Sequence, residues 1–227
     1  MFANIARRYD LLNHLLSVNI DRSWRRLVAR RIHERLPPTK SRVLDVACGT
    51  GDLALTLFEC SEAQVTATDF CRPMLDIAVG KARRSKGRIR FVEGDALALP
   101  FLSGSFDAVT IGFGLRNLAV LDDGLRELRR VLKPGGSLAV LEFSRPRTPV
   151  LRTLFQFYFT KLLPLVGGAI SGSRGAYTYL PNSVRAFPDQ EQLAALIRKV
   201  GFTDVSYQNL TGGIAALHLA RQPERVS

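Results

Sequence analysis

Five residues near the ends of three apolar runs have the types and spacing to hold a charged ligand: Asp45, Gly49, Gly51, Asp69 and Asp95. The first run reads "VLDVACGTGDLALTLFE" (Val43 to Glu59), passing from apolar residues through a glycine pair into helical periodicity. Taken as Gly49-Thr50-Gly51-Asp52-Leu53-Ala54, it satisfies G-x-G-x-x-A, the loose form of a dinucleotide fingerprint. Asp69 follows Gly49 by 20 residues, where a carboxylate accepts hydrogen bonds from ribose hydroxyls. The plainer use of Asp69 is as a helix cap ahead of "RPML". Because NAD and S-adenosylmethionine both carry an adenosine ribose, these positions do not choose between them.

Asp45 and Asp95 do choose. Asp45 lies in the first strand, four residues before Gly49, where a carboxylate would repel pyrophosphate but attract the ammonium and sulfonium of S-adenosylmethionine. Asp95, in "EGDALALPF", offers an acceptor where an adenine amino group would lie. Three carboxylates at the tips of three strands suit a cationic ligand, so the loop is expected to bind S-adenosylmethionine.

The elements that must position these residues follow from periodicity. "RVLDVA", "QVTATD", "RIRFVEGD", "FDAVTIGFG" and the strand after "LKPGG" alternate with helical patterns over 51–60, "RPMLDIAVGKARRS" and 120–132. That alternation predicts a parallel sheet covered on both faces. A last helix, Asp189 to Val200, precedes "GFTDVSYQNL" and "GIAALHLAR", two strands whose short link makes them antiparallel. The fold class expected is α/β, a mostly parallel sheet ending in an antiparallel hairpin. Residues 1–36 carry two amphipathic helical patterns and read as an N-terminal cap or lid. Residues 37–227 form the main domain, interrupted by an insertion at 145–188 that combines basic residues, an aromatic-apolar helix and a Gly/Ser/Tyr/Pro-rich loop.

Composition narrows the function classes. The start of the chain lacks the apolar core of a secretory signal, and no stretch reaches the roughly 18 unbroken apolar residues of a span. The scattered Cys48, Cys60 and Cys71 suit a reducing cytosol. His14, His33 and His218 have no metal-ligand spacing, so no metal is expected. A net charge of +12 favours phosphates, whether of nucleic acid or of an anionic membrane surface.

These motifs together resemble the seven-stranded, Rossmann-like class I S-adenosylmethionine-dependent methyltransferases: "VLDVACGTGD" for the glycine loop, "TATDF" for the ribose acid, "GDALALPF" for the adenine turn and "VLKPGG" before the fifth strand. A narrower resemblance, to the ubiquinone/menaquinone-biosynthesis C-methyltransferase family, rests on "FANIARRYDLLNHLLSVNIDRSWRR", "GFGLRNL", "LEFSRP" and "YTYLPNSVRAFP". It implies C-methylation of a polyprenylated quinol, demethylmenaquinol or a methoxy-benzoquinol, with the former expected here because the chain is compact. It also implies that Thr50, Asp69, Asp95 and Ala96 contact the cofactor, with Phe70 beside them and a residue near Gly112 closing the adenosyl pocket. Members often have serine at or near Gly112, so glycine removes a hydroxyl from that set.

A quinol carbon becomes nucleophilic when a neighbouring hydroxyl ionises, so the site needs an oxyanion stabiliser and a path for the proton. Arg116 would stabilise the phenolate; an ion pair or a cap contact is the alternative use. Asn117 would bond the second ring oxygen. Tyr9, Asp10 and His14 are candidates for lid and proton acceptor, with Asp95 as another. The insertion's "LFQFYFTKLLPLVG", with Arg145, Arg147, Arg152 and Lys161, suggests reversible docking on the inner face of the membrane, or packing on a second copy in a homodimer. Nucleic acid is not an expected partner: an Asp/Asn-Pro-Pro-aromatic motif is replaced by "GFGLRN", and no cysteine follows the fourth or fifth strand to attack a base.

Overall fold

β1 (Arg42–Val46), β2 (Gln64–Asp69), β3 (Arg90–Glu93), β4 (Phe106–Gly112), β5 (Leu132–Phe143), β6 (Thr203–Leu210) and β7 (Ala215–Arg221) form one sheet in the spatial order β3-β2-β1-β4-β5-β7-β6. The first five strands run parallel, and β7 inserts antiparallel between β5 and β6. This computed structural model describes residues 20–38, 40–85, 87–146 and 182–224, with Thr148 and Thr153. The expected cap segment before residue 20, and with it Tyr9, Asp10 and His14, lies outside the described residues. So does most of the insertion, including Arg147, Arg152 and Lys161.

Among the described residues, helices α1 (Ile20–His33), α2 (Asp52–Cys60), α3 (Arg72–Arg84), α4 (Leu121–Val131) and α5 (Gln190–Lys199) lie around the sheet. Side chains alternate across a strand, and β1 shows the consequence. Val43 packs beneath Trp24, Val28 and Ile32 of α1 and Leu53 and Leu57 of α2. Its neighbours Leu44 and Val46 face the opposite layer, with Leu125 and Leu128 of α4 and Leu193 and Ile197 of α5. Asp45, two residues from Val43, therefore belongs to the α1/α2 side. Each fully buried aliphatic side chain of these layers contributes about 2 kcal/mol.

Local chemistry sets the helix ends. Asp189 caps α5 in a capping box, accepting from the Gln192 amide at 2.9 Å while its own amide donates to Gln192 Oε1 at 3.0 Å. Pro73 stands in the first turn of α3, where its missing N–H costs nothing.

One expectation changes. The turn read at "LKPGG" is part of β5: pairing with β4 shifts register between Phe106/Leu132 and Ala108/Ser137, so the extra residues bulge. Gly135, at φ 72°, donates to Gln222 O at 3.0 Å, and Gly136 O accepts from Gln222 N at 2.8 Å. The strand continues because the residues just past β7 supply those partners.

Candidate active site

The strand order reverses between β1 and β4, and the crevice beyond the carboxyl ends of strands at such a switch point is where open α/β sheets bind ligands. Two non-glycine residues there adopt positive φ, Ala47 after β1 at 50° and Phe113 after β4 at 57°. Backbone strain of this kind is held in place by its surroundings. Between them Gly114 is obligatory, because a Cβ would sit 2.6 Å from the Ala47 Cβ.

The glycine loop turns through positive φ at Gly49 (54°) and Gly51 (83°), a conformation that glycine adopts without strain. Gly51 is also a contact point: a Cβ would lie 2.9 Å from the Ala78 Cβ of α3. Asp69, ending β2, fixes this loop. Its Oδ2 accepts from the Gly49 amide at 2.8 Å and its Oδ1 from the Cys71 amide at 2.8 Å. Asp69 thus ties the glycine loop to the entry of α3, but the residue in the cap position of that helix is Cys71, not Asp69. Burial pushes the Asp69 carboxyl up, and its amide donors oppose that.

Asp45 is buried under α1 and α2. Thr110 Oγ1 donates to its Oδ1 at 2.8 Å, whereas Oδ2 is buried without a partner. Desolvation raises its pKa from the usual aspartate range to about 7, against the Thr110 hydrogen bond and the Arg25 charge, which favour the ionised form. Burial likewise pushes the Cys48 thiol up, with Asp45 and Asp69 adding to it. A thiol so held stays protonated and is a poor nucleophile.

Asp95, beyond β3, is exposed and closes its own turn, accepting from the Leu97 amide at 2.9 Å. Ala96 beside it is buried, and Phe70 beyond β2 is 65% exposed. Gly112 ends β4 opposite Leu141, and a Cβ there would approach Leu53 Cδ2 at 3.0 Å. The sheet thus brings Asp45, Gly49, Thr50, Gly51 and Asp69 together at the β1–β2 edge, with Phe70, Asp95 and Ala96 on its β3 side.

The β4–β5 edge is organised differently. Arg116, in a short helical turn over Leu115–Asn117, donates through Nη1 to Glu142 Oε1 and to the Phe113 carbonyl, both at 2.6 Å. The ion pair is almost fully enclosed, at 6% and 1% side-chain exposure, so the alternative use of Arg116 is the one present. Its Nε is buried without a partner. The guanidinium sits 5.3 Å from the Phe143 ring centre, and Phe143 meets Phe113 at 4.7 Å and Phe113 meets Trp24 at 6.1 Å. Asn117 is half-buried, its amide bonded to the Gly114 carbonyl at 3.0 Å.

Sequence reasoning missed Glu142, Asp52 and Lys81. Glu142 had a signal, a carboxylate inside the apolar run "LAVLEF" that burial obliges to find a cation. Lys81 and Asp52 had none, because they are far apart in sequence and meet only in the fold. Among the described residues, no three His, Cys, Asp or Glu side chains converge as a metal site.

Strand order, glycine loop and switch-point carboxylates define a class I S-adenosylmethionine-dependent methyltransferase fold. A solved structure from Thermotoga maritima, described as a SAM-dependent methyltransferase and possible histamine N-methyltransferase, shares it with a TM-score of 0.66 over 97% of each chain, at 19% identity. Within that class, the sequence model of the ubiE/COQ5 methyltransferase family matches residues 1–222, and the chain belongs to this family. It is 51% identical over 224 residues to the demethylmenaquinone methyltransferase of Thermus thermophilus, covering 98% of this chain and 100% of that one. It is 46% identical over 223 residues to the ubiquinone/menaquinone biosynthesis C-methyltransferase UbiE of a Geobacter species, covering 96% and 93%.

Proposed function

We propose that this chain is a C-methyltransferase that moves a methyl group from S-adenosylmethionine to a ring carbon of a polyprenylated quinol, with demethylmenaquinol as acceptor. The observation that carries the donor half is Asp45, a buried carboxylate with one unpartnered oxygen beside a glycine loop that turns through positive φ. Such a group fits a cationic ligand. The acceptor follows the name of the Thermus relative, which matches along its whole length.

In this reading Asp45 faces the donor's ammonium, Gly49, Thr50 and Gly51 hold its amino-acid end, and Asp69 keeps lone pairs for the ribose hydroxyls. Phe70, Asp95, Ala96 and Gly112 flank the adenine side. When bound, S-adenosylmethionine supplies a methyl carbon made electrophilic by its sulfonium, so the chain's main tasks are alignment and exclusion of water.

On the acceptor side, the half-buried rings of Phe113 and Phe143 offer flat apolar contact to a quinol. Glu142 neutralises much of the Arg116 charge, so Arg116 acts chiefly as a brace for the Phe113 carbonyl. Its buried Nε is the donor that a phenolate oxygen reaching it would satisfy. Asn117 takes the second ring oxygen. Proton acceptance falls to Tyr9, Asp10 or His14 from the N-terminal cap, or to Asp95. The net charge of +12 supports transient contact with an anionic membrane, where a polyprenyl acceptor resides. No helix among the described residues is long and apolar enough to cross one.

The test is single-turnover transfer from methyl-labelled S-adenosylmethionine with reduced demethylmenaquinone, a ubiquinone-precursor quinol and tRNA offered in parallel. Label in the naphthoquinol is the expected outcome. Label in the benzoquinol alone would reverse the branch, and label in neither would remove the acceptor assignment while leaving the donor site standing.

A further inference from the structure

Asp52, the first residue of α2, stands where three helices converge. Its carboxylate takes Lys81 Nζ from α3 at 2.6 Å and Arg25 Nη1 from α1 at 3.2 Å. Lys81 Nζ reaches a second oxygen, donating to Thr50 Oγ1 in the glycine loop at 3.0 Å. Arg25 in turn pairs with Asp21 at 2.6 Å. These are enclosed side chains, with Lys81 18% and Asp52 21% exposed.

An ion pair of this kind is a doubtful source of stability, because desolvation and lost rotamer freedom oppose its attraction. Each charge does sit well locally: Asp52 lies at the amino end of α2 and Lys81 in the last turn of α3, where the helix dipoles favour them. What the arrangement adds is position. One ammonium ties α3 to both the loop residue Thr50 and the helix start Asp52. Those two residues flank Gly51, which has φ 83° and would clash with Ala78 of the same helix if it had a side chain.

We infer that Lys81 is a positioning residue of the donor site: acting through Thr50 and Asp52, it holds the 47–51 loop in its bent form before the donor arrives. A loop fixed in advance does not spend binding energy on ordering itself. The inference rests on the reading that this loop holds S-adenosylmethionine.

Calorimetric titration of the full chain with S-adenosylmethionine and S-adenosylhomocysteine tests it without any acceptor. Lys81→Met is expected to weaken both ligands about tenfold, the size of one charge-assisted hydrogen bond, and Lys81→Arg to recover most of that loss. In turnover, KM for the donor should rise by the same factor while kcat at saturation stays within about twofold. Combined with Thr50→Val, Lys81→Met should weaken binding by less than the product of the two single effects, because the two residues share one of the two contacts through which Lys81 acts. If Lys81→Met does not fold, Lys81→Gln carries the test, with about threefold weaker binding expected from its neutral donor. Wild-type affinity in a folded Lys81 variant, or full additivity with Thr50→Val, would overturn the inference. Wild-type protein that binds neither ligand would instead remove the donor reading beneath it.

Discussion

The carboxyl ends of β1 and β5 each carry a buried carboxylate, yet the two are treated in opposite ways. At the β4–β5 edge Glu142 is paired with Arg116 at 2.6 Å and also accepts from the Phe143 amide at 2.8 Å. At the β1–β2 edge Asp45 has a hydroxyl on one oxygen and nothing on the other, and burial keeps its proton to about pH 7. The first carboxylate is satisfied from within the chain and stiffens the backbone around Phe113. The second keeps an acceptor unused, an arrangement that the proposed cationic donor would complete. Internal pairing thus braces the backbone around Phe113 while leaving the Arg116 Nε donor open, whereas at the β1–β2 end it is an acceptor, Asp45 Oδ2, that stays open.

Breaking the satisfied edge should have the largest effect. Glu142→Ala leaves Arg116 buried without its counter-ion and is expected to destabilise the fold by about 3–5 kcal/mol in denaturant titrations. Replacing both partners, as Arg116→Met with Glu142→Leu, should recover most of that loss. A cost for Glu142→Ala no larger than for Asp45→Ala would collapse the contrast.

Asp69→Ala comes next, since it frees the Gly49 and Cys71 amides and removes the ribose acceptor. A donor affinity about 100-fold weaker, the loss of two hydrogen bonds to a charged group, is expected by calorimetry. Unchanged affinity would separate Asp69 from the ribose and leave it as a loop brace.

The pH dependence, read per unit of pH, is the most diagnostic. The folded chain keeps the Asp45 proton to about pH 7, whereas an unfolded aspartate loses it near pH 4. Between those values the folded state binds more protons, so the stability of the ligand-free protein should fall as pH rises, by at most about 1.4 kcal/mol per pH unit from this group. Asp69, also raised by burial, acts in the same sense. A cationic ligand favours the ionised carboxylate and expels the proton, so donor affinity should climb toward pH 7 and then level. Asp45→Asn should flatten both profiles, and an affinity profile that keeps its slope would place the titration elsewhere.

Much of this was legible before any coordinates, because it is local or periodic. β2 has the bounds its apolar run predicts, and the closing hairpin follows from two strands joined by a short glycine-containing link. The glycine loop and the acid 20 residues beyond it meet as their spacing implies, through the Gly49 amide and Asp69. What escaped was tertiary. "LKPGG" looks like a turn from its own composition, and only the backbone of Gln222 makes it strand. The Arg116 side chain looked available for a substrate because its partner, Glu142, lies on the next strand. Propensity and spacing describe what a segment prefers alone; partners chosen across the sheet are set by packing.

The place of β7 has a consequence for how the molecule is made. β5 is flanked by β4 and β7, and β7 is the last of the seven strands in sequence. While the chain is being synthesised, β1 to β5 emerge with one side of β5 unsealed, a bare backbone edge of the kind that recruits stray strands. The Trp24 indole of α1 finds its hydrogen-bond partner, Thr211 Oγ1 at 3.1 Å, only once the link to β7 has left the ribosome. The Trp24 side of the sheet is thus completed only after the β6–β7 link has been made, when a late hydroxyl secures an early tryptophan.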